Sequence, residues 1–101
     1  MFVHTVFFWL KDKDDDNARK ALHQGLQALA HIDKIQTGHI GTPATTRRAV
    51  IDHTYDFSLT FIFPDKVAHD DYQVHPDHLK FVDNCAALWG DAKVYDMVTS
   101  D

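Results

Sequence analysis

Residues 2–10, Phe-Val-His-Thr-Val-Phe-Phe-Trp-Leu, are β-branched and aromatic in a run too short for a buried helix, and so predict a strand. Alternation sends Phe2, His4, Val6, Phe8 and Leu10 to one face and Val3, Thr5, Phe7 and Trp9 to the other. Both faces are largely apolar, which places the strand at the centre of a sheet. After the charged turn Lys11 to Asp15, Leu22, Leu26 and Leu29 recur at helical spacing as far as about Ile32, with Arg19, Lys20, Gln24 and Gln27 opposite. Gly25 lowers helix propensity there but permits close packing. Residues 34–42 predict a weaker edge strand, made irregular by Gly38 and Gly41. Pro43 to Asp52 is a long connection.

The clearest signal is residues 54–63, where Tyr55, Phe57, Leu59, Phe61 and Phe63 alternate with Asp56, Ser58, Thr60 and Ile62 in the period of a half-buried strand. Pro64 ends it, and Asp65 caps a short helix to about Tyr72. A second helix starts at Pro76, well placed at a first helical position, and runs to about Trp89, with Gly90 as its expected stop. Residues 92–98 predict the last strand, with Ala92, Val94, Asp96 and Val98 on one face. The order strand, helix, strand, strand, helix, strand over residues 1–101 predicts one α+β domain. Its architecture is a split β-α-β arrangement, an antiparallel sheet with both helices on one face. The first strand falls between the third and the last. The face without helices then carries Val3, Phe7 and Trp9 beside Tyr95 and Met97, an apolar patch that predicts a homodimer with the two sheets facing each other.

Composition narrows the function classes. A formal charge of −5, with Asp and Glu at 15 against Lys and Arg at 10, and no basic cluster beyond Arg47-Arg48, disfavours nucleic acid as a partner. No apolar run is long enough to span a bilayer, and the first ten residues lack the leading charge and cleavage site of a signal peptide. Cys85 is the one cysteine, consistent with a reducing cytoplasm. Eight histidines make it necessary to ask where each one points.

Val3-His4-Thr5-Val6-Phe7-Phe8, the strand Tyr55-Asp56-Phe57-Ser58-Leu59 and above all Tyr72-Gln73-Val74-His75-Pro76-Asp77-His78 resemble the stress-responsive A/B barrel (Dabb) domain over essentially the whole chain. The resemblance implies a ferredoxin-like fold that dimerises into an α/β barrel, in a family whose bacterial members mostly have no assigned activity. It also implies candidate catalytic residues. A plant branch closes linear poly-β-ketones by aldol chemistry without a cofactor, using a tyrosine and a histidine that correspond to Tyr72 and His78, with His4 and Asp96 also matching. The long Pro43–Asp52 loop, and Leu22 and His23 in place of first-helix aromatics, depart from that branch and change the pocket shape.

The expected topology puts His4, Leu59 and Asp96 on the helix-facing side of adjacent strands, with Tyr72 and His78 above them. Together they enclose a space lined by Phe8, Leu59, Phe81 and Val94, with His75 also counted among the pocket residues. Apolar walls with a few convergent polar groups suit a small apolar or aromatic ligand. A neutral imidazole and a phenol there suffice for proton abstraction next to a carbonyl. Plainer readings stand beside these. His78 can be a core histidine bonded to a carbonyl or to Tyr72, His75 a helix cap, and Asp96 a partner for a backbone donor. His75 and His78 lack a metal-binding spacing, so no metal site and no cofactor are expected. Three functions remain open: a dimeric ligand-binding domain, a cofactorless enzyme resembling the cyclases or related monooxygenases, and a stress-related assembly without catalysis.

Overall fold

The computed structural model describes residues 1–100. Its elements are β1 (Phe2–Leu10), α1 (Asp16–Leu29), β2 (Thr37–Gly41), β3 (Phe57–Phe63), α2 (Lys66–Gln73), α3 (Pro76–Cys85), a 3₁₀ turn at Ala86–Leu88, and β4 (Trp89–Val98). The four strands form one antiparallel sheet in the order β2-β3-β1-β4. This is the ferredoxin-like α+β architecture, with β1 inside the sheet as its two apolar faces require. The smallest principal extent, 17 Å, leaves room for a sheet and one helical layer, so the other sheet face has no cover of its own.

The core lies between the sheet and the helices. Phe2, Val6, Phe8 and Leu10 of β1 and Phe57, Leu59, Phe61 and Phe63 of β3 are buried against Leu22, Leu26 and Leu29 of α1 and Tyr72, Phe81 and Cys85 of the later helices. Asp15 caps α1 by accepting from the Ala18 N–H at 3.0 Å. Gly25 faces α3, where an added Cβ would stand 2.8 Å from Cys85 Sγ and 3.1 Å from the Phe81 ring. The close approach of α1 and α3 is the reason this helix tolerates a glycine.

Several boundaries differ from the sequence reading. The expected strand at residues 54–63 begins only at Phe57, because the chain breaks phase before it. Tyr55 packs against Phe7 and Trp9 on the helix-free face instead of joining Phe57 in the core. Asp56 is buried in its place, accepting from the Leu10 N–H at 2.8 Å, Lys13 Nζ at 2.8 Å and Arg19 Nη2 at 3.1 Å. The second long helix ends at Cys85, earlier than its apolar spacing predicts, and tightens into the 3₁₀ turn. Gly90 does not stop it. Trp89 pairs with Leu10 and Asp91 with Trp9, so Gly90 is the extra residue of a bulge near the start of β4. A Cβ on Gly90 would come within 3.3 Å of Lys11 Cα, which explains glycine at the bulge. The weak second strand is shorter than residues 34–42 and mostly exposed, as an edge strand is.

Gly25→Ala should lower the melting temperature. The overpacking against Cys85 and Phe81 costs about 1–3 kcal/mol, which outweighs a helix-propensity gain of roughly 1 kcal/mol. Adding Cys85→Ala should restore most of the loss, and a thermal-denaturation double-mutant cycle reads the coupling. Equal effects of Gly25→Ala with and without Cys85 would place its cost elsewhere.

Candidate functional site

His4 reaches the helix side because it lies at an even position of β1, opposite Phe61 of β3 and Asp96 of β4. It is 4% exposed, and its Nδ1 lies 2.6 Å from Asp96 Oδ1. A carboxylate oxygen can only accept, so Nδ1 carries the proton and Nε2 keeps its lone pair. Asp96, at an edge strand, remains partly exposed.

The other polar groups come from the two short helices. Asp65 starts α2 by accepting from the Ala68 N–H at 2.9 Å. Three residues apart on that helix, His69 and Tyr72 both turn inward and are buried. Pro76 then opens α3, and His75 caps it, its Nδ1 accepting from the Asp77 N–H at 3.0 Å. His75 is therefore a cap and does not line the cavity, which corrects its expected place among the pocket residues. His78, one turn on, brings its ring to 4.8 Å from that of Tyr72, and the Tyr72 ring lies 5.9 Å from that of His4.

These side chains border a cavity of about 160 Å³ between the sheet and the helices. His4, Tyr72 and His78 line it together with Phe8, Leu59, Phe81 and Val94. Asp96 is not a lining residue and enters through its hydrogen bond to His4. Gln73, Leu29 and Trp89 also line the cavity without having been singled out in the sequence. The residue most clearly missed is His69, whose ring stacks on Phe2 at 4.1 Å and lies 5.0 Å from the ring of His4. Its signal was the three-residue spacing to Tyr72, in a helix too polar to draw attention.

Burial sets the electrostatics. It pulls the His4 imidazole below its ordinary value, with the hydrogen bond and charge of Asp96 opposing and His69 adding to the shift. His78 is lowered for the same reason, reinforced by His4 and opposed by the Gln73 backbone. The buried His78 Nδ1 has no hydrogen-bond partner. Burial raises the Tyr72 phenol well above its usual range and keeps it protonated, a hydrogen-bond donor. The arrangement thus offers two neutral imidazoles and a phenol around one apolar space. Cys85, buried and with its thiol pushed up by burial, takes no part.

The sequence matches the model of the stress responsive A/B barrel domain over residues 2–99. The chain belongs to the Dabb family. A Dabb family protein with a ferredoxin-like fold from Mesorhizobium loti is 26% identical, with a TM-score of 0.79 over 99% of this chain and 97% of that one. A dimeric ferredoxin-like protein of unknown function from Thermobifida fusca is 19% identical, with a TM-score of 0.77 over 97% of this chain and 90% of that one. An antibiotic biosynthesis monooxygenase is 14% identical, with a TM-score of 0.73 over the whole of both chains. At the last two identities the likeness is one of fold. No curated protein matches this Dabb sequence, and among the described residues no helix is long and apolar enough to cross a membrane.

The lowered imidazoles dictate a direction of pH dependence. His4 and His78 bind protons less readily folded than unfolded, so the unfolded chain protonates first as pH falls below 6.5. Their contribution to stability is present above that pH and declines as pH falls toward their folded values. The Asp56 carboxyl, which burial pushes up but Lys13, the Leu10 N–H and Arg19 together hold below 3.8, behaves separately, its contribution persisting until pH falls below that value. Urea midpoints should therefore already decrease between about pH 7 and 5, and less steeply in His78→Phe. A midpoint flat across that range would show that these imidazoles are not shifted downward.

Proposed function

We propose that this Dabb domain is a homodimer that binds a small apolar or aromatic molecule in the cavity between its sheet and helices. The observation that carries the reading is the unpartnered His78 Nδ1 beside Tyr72 and His4, at a cavity otherwise walled by Phe8, Leu59, Phe81 and Val94. Apart from the pull of the Gln73 backbone on the ring, this buried nitrogen lacks a well-formed hydrogen bond, and a ligand with a polar atom on an apolar frame would supply one. Such a ligand would present a carbonyl or hydroxyl to the histidines and its hydrocarbon to the phenylalanines.

A second reading rests on the 2.6 Å contact between His4 and Asp96. An imidazole oriented by a carboxylate, next to a protonated phenol, is suited to removing a proton adjacent to a carbonyl while Tyr72 donates to the enolate oxygen. This would make the protein a cofactorless proton-transfer or aldol enzyme.

Dimerisation is supported by the uncovered sheet face. Val3, Thr5, Phe7 and Trp9 are only half-buried there, Tyr95 and Met97 are 61% and 55% exposed, and Phe7, Tyr55 and Tyr95 form an aromatic cluster. Dimeric ferredoxin-like proteins of the same fold exist in Thermobifida fusca and Bacteroides fragilis.

A thermal-shift series with small aromatic and β-keto acids should raise the wild-type melting temperature and leave His78→Ala unmoved, while both proteins remain folded. If the wild type responds to none of them and His78→Ala only melts lower, the histidine is a core residue and the reading fails. In sedimentation velocity the wild type should run as a dimer and Tyr95→Lys should shift toward monomer, since a charge buried without a partner opposes association. A monomeric wild type would remove the sheet-to-sheet interface.

A further inference from the structure

Beside the cavity, a second constellation brings together side chains from three elements. His4 of β1, His69 of α2 and Asp96 of β4 each place one potential ligand atom within 4.8 Å of the other two. At His69 the surrounding hydrogen bonds leave a ring lone pair free. His69 Nδ1 lies 3.1 Å from Asp70 Oδ1, and Lys66 Nζ holds Asp70 Oδ2 at 2.6 Å. The carboxylate accepts from Nδ1–H, which fixes the tautomer and leaves His69 Nε2 bare. A carboxylate behind a histidine is the arrangement that orients imidazoles toward metals. Only the Gln73 amide competes for that Nε2, and it does so weakly, at 3.4 Å.

We propose that His4, His69 and Asp96 bind a divalent transition-metal ion of the zinc class. Two imidazoles and one carboxylate match the donor preferences of zinc, cobalt and nickel and exclude a site selective for magnesium or calcium. Donors about 2 Å from a tetrahedral ion stand roughly 3.3 Å apart, so the cluster must contract. Asp96 can supply that movement, because its side chain is 39% exposed on an edge strand, whereas both imidazoles are packed. That exposed side also gives water access to the remaining position. Binding through Nδ1 breaks its hydrogen bond to Asp96 Oδ1 and moves the ring proton to Nε2, so His4 stays a neutral ligand.

The site shares His4 with the cavity, and Asp96 as the partner of that histidine, but does not depend on an organic ligand binding there. A metal on His4 would occupy the imidazole that the proton-transfer reading uses as a base, so the two states exclude one another. His69 belongs to the metal cluster alone, and His78 to the cavity alone.

The test is titration of chelator-treated full-length protein with Zn²⁺ by calorimetry and with Co²⁺ by visible absorption. One ion per protomer is expected, with the visible bands of nitrogen- and oxygen-bound Co²⁺. His69→Ala and Asp96→Asn should each weaken binding at least tenfold, and Asp70→Asn should weaken it less, while the exposed His31→Ala should leave it unchanged. His78→Ala should keep the metal and lose the response to organic acids, which separates this site from the cavity. If His69→Ala proves unstable, Asp96→Asn on the exposed edge decides the matter. Absence of binding in the wild type, or binding indifferent to Asp96→Asn, overturns the proposal.

Discussion

The register of β1 is the constraint on which the site depends. Side chains alternate with a period of two, so a slip of one residue would send His4 to the uncovered face and bring Thr5 inward. Buried Asp56 opposes such a slip at one end. Its carboxylate accepts from the N–H of Leu10, the last residue of β1, and from Lys13 and Arg19, which ties the end of β1 to the entry of α1. At the other end, Thr99 N–H donates to the Met1 carbonyl at 3.0 Å and the Met1 amino group donates to Thr99 Oγ1 at 2.9 Å. Between these clamps the pairing of His4 with Asp96 is a direct consequence of strand register.

Much of this was legible in the chain. The two-sided apolar run of β1, the period-two pattern from Phe57 to Phe63 and the leucine spacing of α1 are signals of burial, and burial is what the fold enforces. From them followed the strand order and the shared face of His4 and Asp96, while Tyr72 and His78 were pointed to by the resemblance to the family. The misses occurred where local chemistry overrode periodicity. Tyr55 continues the alternation on paper, yet a carboxylate that can satisfy a strand N–H and two cations displaces it from the core at Asp56. Gly90 has the composition of a helix stop, but a bulge requiring close approach to Lys11 accounts for it better. His69 went unnoticed because its partners, Phe2 and His4, are more than sixty residues away in the sequence.

The cavity also reflects what the helices fail to cover. Val94 and Val98 lie on the helix-facing side of β4, yet they are 55% and 69% exposed. α3 gives way at Cys85 to a short turn, so no helix extends across this edge strand. The result is a mouth beside β4 at which Asp96 stays wet while His4, one strand further in, is buried. An imidazole placed at such a boundary is desolvated enough to stay neutral and close enough to a carboxylate to be oriented.

β4 therefore carries two surfaces with different roles. Asp96 points toward the helices and bonds His4, whereas its neighbours Tyr95 and Met97 point to the uncovered face. Edge strands are the least restrained part of a sheet, and this one positions a group on which both the base and the metal readings rely. Burial of Tyr95 and Met97 by a second copy would fix the strand between two layers and hold the Asp96 carboxylate against the imidazole. Association and site geometry would then be coupled through a single strand, without any residue of the partner having to enter the cavity.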